Sequence, residues 1–166
     1  GKRELSREDK EKIERIRDFF SYLEKDYNLN ITEILQIISE KEIIIPVSIF
    51  NKKLSILETI TKYLKENQNL NYHNIAELIG RDERNIWHTY NVAKKKYTQQ
   101  LVMGDSKYFI PVSVLNDENY SALESVVRFL KDNFGLNYAQ ISDLISRDQR
   151  TVWTVYNRSK RKDGKK

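Results

Sequence analysis

The sequence predicts an all-α protein in which tandem three-helix units, each led by a short extended arm, follow a degenerate N-terminal helical unit. Three observations predict it. The string LNYHNIAELIGRDERNIWHTYN at 70–91 returns 66 positions later as LNYAQISDLISRDQRTVWTVYN at 136–157. The same run-up precedes each copy, Ile45-Pro46-Val47-Ser48 and Ile110-Pro111-Val112-Ser113, and the same basic tail ends it, Lys94-Lys95-Lys96 and Lys160-Arg161-Lys162. Within each copy apolar residues recur at helical rather than strand spacing. A period this short in 166 residues favours small modules that lean on one another, here 1–41, 42–103 and 104–166.

Residues 1–41 read as a worn copy of the unit. From Ser6 to Tyr27 runs a strongly charged helix with Ile13, Ile16, Phe20 and Leu23 on one side, and 30–39 aligns with 71–80. The Arg-Asp and Trp elements that follow in the later copies are missing, so this unit is expected to pack, dimerise or bind a transcription-machinery partner rather than DNA. The arms at 42–50 and 107–115 are β-branched or aromatic around a proline, which suits extended segments or short turns leading into the first helix, able as extended segments to pair with each other. Ser55 with Glu58 and Ser121 with Glu124 are matching capping boxes that start helices near 56–67 and 122–133. Asn71 and Asn137 cap second helices whose core faces are Ile75, Leu78 and Ile79, and Ile141, Leu144 and Ile145. Gly80 and Ser146 stop them, and Asp82 and Asp148 cap the third helices. Thr98 to Lys107 includes Met103-Gly104-Asp105-Ser106, a hinge between units, and the polar end at 163–166 is expected to be disordered.

Composition narrows the function. The absence of cysteine removes disulfides and thiolate sites and fits a reducing, cytoplasmic setting, nucleoid-associated in a prokaryote; no apolar run is long enough to span a bilayer. Basic and acidic residues number 9 and 10 in 1–41, 9 and 6 in 42–103, and 11 and 8 in 104–166, so the excess charge of +5 lies in the two clear copies. It concentrates in their third helices, five basic against two acidic residues over 81–96 and six against one over 147–162.

On a wheel of about 100° per residue, Ile86, Tyr90, Ala93 and Tyr97 share one sector of the third helix, while Arg84, His88, Asn91 and Lys95 share the opposite one. The second copy presents Arg150, Thr154, Asn157 and Arg161. A short second helix, a turn and such a stripe describe a helix-turn-helix DNA reader: Arg suits guanine, Asn suits adenine, and terminal Lys or Arg reach phosphate. The expected contact set is Arg81, Arg84, Asn85, His88, Asn91, Lys94 and Lys95, with Arg147, Arg150, Thr151, Thr154, Asn157, Arg158, Lys160, Arg161 and Lys162. Trp87 and Trp153 fall beside the stripe and are expected to pack beneath the first helix or the arm; a phosphate or inter-unit contact is the alternative. Tyr72 and Tyr138, opening the second helices, stand where hydroxyls meet phosphate in such motifs, with core packing as the other reading.

The string LISRDQRTVWTVYNRSKRK at 144–162, after LNYAQI at 136–141, resembles the fourth region of bacterial sigma-factor-type DNA-binding domains, over about 27 residues of each copy. The resemblance implies a three-helical unit whose third helix, 149–161 and equally 83–95, enters the major groove. Trp87 and Trp153 stand where that family has a basic or polar residue, and Arg81 and Arg147 where it is aliphatic.

The leading reading is a double-stranded DNA-binding transcription regulator with two related subsites, directly repeated unless the protein dimerises. Alternatives are an architectural nucleoid protein without base discrimination, or a polymerase-associated adapter that does not read DNA. Catalysis, cofactors and metals are not expected: His73 and His88 correspond to Ala139 and Thr154, so no acid-base or metal set repeats, and no glycine-rich phosphate loop occurs.

Overall fold

A computed structural model describes residues 4–39 and 43–165, which are mostly helical with one two-stranded sheet. The chain divides into two compact units, Gly1–Lys41 and Glu42–Lys166.

In the first unit α1 (Arg7–Tyr27) starts at Ser6, whose hydroxyl accepts from the Asp9 N–H at 3.1 Å while the Asp9 carboxylate accepts from the Ser6 N–H at 3.2 Å. Asn28 ends it in the left-handed region, φ 52°, and α2 (Ile31–Ser39) follows. Ile34 is buried, yet Ile13, Ile16, Phe19 and Tyr22 stay exposed and no residue of α1 is buried.

The second unit holds both clear copies. The first runs β1 (Ile44–Pro46), a 3-10 turn (Val47–Ile49), α3 (Ile56–Lys62) continued by a π turn (Tyr63–Asn67), α4 (Tyr72–Ile79) and α5 (Glu83–Lys96). The second repeats the order as β2 (Phe109–Pro111), a 3-10 turn (Val112–Leu115), α6 (Ala122–Phe134), α7 (Tyr138–Ile145) and α8 (Gln149–Asp163). Every helix start follows its capping residue. Ser55 and Ser121 complete their boxes with Glu58 and Glu124, and Asn71, Asn137, Asp82 and Asp148 accept from first-turn amides. Gly80 and Ser146 close α4 and α7 at φ 62° and 55°.

The two copies are fused around one core. Ile45, Ile60, Leu64, Ile75 and Ile86 belong to the same buried cluster as Ile110, Val126, Leu130, Ile141 and Val152. The arms pair antiparallel, Ile44 with Pro111, Ile45 with Ile110 and Pro46 with Phe109. Because Ile45 and Ile110 are equivalent positions, this register maps each copy onto the other by a half-turn. Neighbouring bonds obey the same operation, the Val47 N–H donating to Tyr108 O at 3.0 Å and the Val112 N–H to Ile43 O at 2.9 Å. A shallow cleft lies on the axis, lined by residues 55–57 and Arg81 and by their counterparts 121–123 and Arg147.

The segment between copies differs from the hinge expected of its Gly and Ser content. Leu101 is buried, the Asn67 side chain donates to Leu101 O at 3.0 Å, and the Ser48 hydroxyl donates to Met103 O. The Lys62 ammonium, fully buried, bonds the Glu66 carboxylate at 2.5 Å and Gln99 O at 2.7 Å. The linker is thus fastened along the first copy. At the C-terminal end α8 extends to Asp163, anchored by Arg128 at 2.7 Å and by the Tyr120 hydroxyl, so the expected disorder does not reach that residue.

Candidate nucleic-acid interface

Each third helix is seated by its apolar edge. Ile86 and Ala93 of α5, and Val152, Val155 and Ser159 of α8, are buried, which turns the opposite edge outward. A ring pair steadies each seat, Tyr72 with Tyr90 at 5.9 Å and Tyr138 with Tyr156 at 6.0 Å between centroids. Tyr72 and Tyr138 are half-buried in these pairs, so they act as packing residues, each beneath a lysine ammonium, Lys65 at 4.8 Å and Lys131 at 4.4 Å. Burial raises the Tyr90 and Tyr156 hydroxyls above the ordinary phenol range, with the Tyr156 bond to Asp132 acting in the same direction.

The outward edge of α5 gathers Arg84, Asn85, Trp87, His88, Lys94 and Lys95, all exposed. That of α8 gathers Arg150, Thr151, Trp153, Thr154 and Arg161, again all exposed. The indoles overturn the packing expectation. Trp87 is 53 % and Trp153 54 % exposed, at equivalent positions on the flank of the outward stripe. The wheel contained the signal: each Trp follows a fully buried Ile86 or Val152 by one residue, about 100° away, and sits three residues after the outward Arg84 or Arg150.

Several of the expected contact residues have partners within the fold. Arg81 and Arg147 leave the face altogether and reach across the two-fold. Arg81 donates to Ile79 O at 2.7 Å, to Leu115 O at 3.1 Å and to Tyr120 O at 3.3 Å. Arg147 reciprocates, to Ile145 O at 3.1 Å, Asn51 O at 2.8 Å and Leu54 O at 2.7 Å. A guanidinium just past a helix end meets that helix's free carbonyls, which is why this turn position takes Arg. Burial lowers the Arg147 pKa while leaving it a cation.

Asn91 and Asn157 are half-buried and donate their amide N–H groups back to Trp87 O at 2.7 Å and Trp153 O at 2.8 Å. Neither is free to grip adenine with both atoms in this rotamer. Arg158 lies 3.6 Å and Lys162 2.8 Å from the Glu124 carboxylate, and Lys160 3.3 Å from Asp132. These pairs stitch α8 to α6, and Lys96 does the same for the first copy by bonding Glu58 at 2.9 Å. Burial alone would push the Glu58 and Glu124 carboxyls up, but Ser55 with Lys96, and Lys162 with Ser121, outweigh it and hold both below the ordinary range.

The entrance to α5 is more acidic than that to α8. His73 lies 3.1 Å from Glu77 and 3.5 Å from Glu83, whereas Ala139 and Gln149 occupy the equivalent places of His73 and Glu83 in the second copy. Among the described residues no three His, Asp or Glu side chains converge as a metal site would require, and no helix is long and apolar enough to cross a membrane. No protein-family model, curated protein or solved structure matches this chain.

Proposed function

We propose that this chain is a double-stranded DNA-binding protein, a transcription regulator of the helix-turn-helix kind similar to sigma-factor fourth regions, which reads two related subsites with α5 and α8. The observation that carries this reading is the equivalence of two exposed faces, Arg84, Trp87, His88 and Lys95 against Arg150, Trp153, Thr154 and Arg161, each seated by a buried edge of the same helix. Arg84 and Arg150 supply guanine-directed donors, Lys94, Lys95 and Arg161 supply phosphate contacts, and the indoles supply flat apolar area against thymine methyls or sugars.

The test is binding of fluorescent duplexes across a salt series. The double variant Arg84→Ala/Arg150→Ala loses about 1–3 kcal/mol per arginine on a selected duplex and keeps most of its affinity for a random pool. Equal loss on both duplexes points to an architectural binder, and no binding near physiological salt removes the DNA reading. The half-exposed indoles favour one second reading, a helical adapter, since exposed Trp is a frequent anchor of protein interfaces.

A further inference from the structure

The order of the copies along the chain suggests directly repeated subsites; the half-turn that relates them in space does not. We propose, resting on the DNA reading above, that α5 and α8 recognise an inverted, near-palindromic duplex site whose halves differ where Asn85 and His88 are replaced by Thr151 and Thr154.

Two features define the half-turn, the paired arms with their flanking bonds and the crossed arginines. The arms pair antiparallel about the equivalent residues Ile45 and Ile110. The Val47 and Val112 amides exchange bonds with the opposite arm. The Arg81 and Arg147 guanidiniums cross in opposite directions to carbonyls of the other copy, Tyr120 and its counterpart Leu54 among them. Such an isologous contact, ordinarily made between two identical subunits, is made here within one chain.

Duplex DNA carries its own two-fold axes, which exchange its antiparallel strands. A body with internal two-fold symmetry presents both reading helices equivalently to one duplex only when its axis coincides with one of these, and the half-sites then run in opposite directions. Copies related by translation would read them in the same direction. Sequence differences on the two faces make the palindrome imperfect. Arg84, Trp87 and Lys95 meet like residues, Arg150, Trp153 and Arg161, whereas Asn85 and His88 meet threonines.

In vitro selection from a duplex pool with a long random core, using the full chain, reads the outcome directly. The expected enriched motif has two related halves on opposite strands at fixed spacing. A synthetic duplex with that arrangement binds roughly a hundredfold tighter than one with the second half reversed, the gain of engaging both helices at once. Selection with Asn85→Thr/His88→Thr yields a more symmetric motif. Enrichment of a direct repeat or of a single half-site overturns the inverted geometry while leaving DNA binding intact. Failure to retain any duplex from the pool overturns the DNA reading itself, and this proposal with it.

Discussion

Gly80 and Ser146 occupy the same left-handed position at the ends of α4 and α7, yet they are not interchangeable. A Cβ on Gly80 would come within 2.5 Å of the Asn116 side-chain oxygen, and Asn116 donates to Glu77 O at 3.0 Å, closing the end of α4 from the other copy. Gly80→Ser should therefore destabilise by about 1–2 kcal/mol, whereas Ser146→Gly, which relieves left-handed strain, should be neutral or stabilising by up to about 1 kcal/mol, both measured by urea unfolding. Trp87→Ala and Trp153→Ala should leave the melting temperature nearly unchanged, because half of each indole is already in water, while weakening duplex binding. Glu58 and Glu124 make the fold acid-sensitive. Their carboxyls are depressed in the folded chain, so the stability they contribute is complete above the ordinary glutamate value of about 4.3 and falls as pH drops through it toward their lowered values. Thermal melts between neutral and acid pH should show this loss, and Glu124→Gln should flatten it.

At the scale of elements, the reciprocal arginines act as bolts between copies. Arg147→Ala strips charged donors from Asn51 O and Leu54 O and should cost about 2–4 kcal/mol, with Arg81→Ala costing a similar amount, read from denaturant midpoints. The helices were legible in the sequence because capping residues, apolar spacing and the repeat agreed at every boundary; α3 with its π turn, α4, α6 and α7 start at the positions that Ser55, Asn71, Ser121 and Asn137 mark. Pairing of the arms was legible as a possibility from their β-branched residues. What stayed hidden were partners set by tertiary geometry. A turn arginine looks alike whether it meets phosphate or a neighbouring copy's carbonyl, and an indole on a helix flank is buried or exposed according to where the adjacent helix ends. Glu83, which Gln149 replaces in the second copy, makes the entrance of α5 the more acidic, so on the DNA reading proposed above Arg150→Ala should weaken duplex binding more than Arg84→Ala.

For the whole molecule, residues 42–166 share one core, so neither copy can close its apolar surface without the other. A fragment of 104–166 should lack a cooperative melt by circular dichroism, since Ile110, Val112 and Leu115 would lose the arm and helix that cover them, while 42–166 should melt in one transition. The fastened linker, held through Gln99, Leu101 and Met103, has a mass-action meaning as well. Regulators assembled from separate subunits occupy their sites in proportion to the square of protomer concentration when dimers are scarce. On the DNA reading proposed above, joining both halves on one strand of polypeptide makes occupancy rise in simple proportion to the amount of protein made, so dilution cannot part α5 from α8, and each can drift in preference without losing its mate.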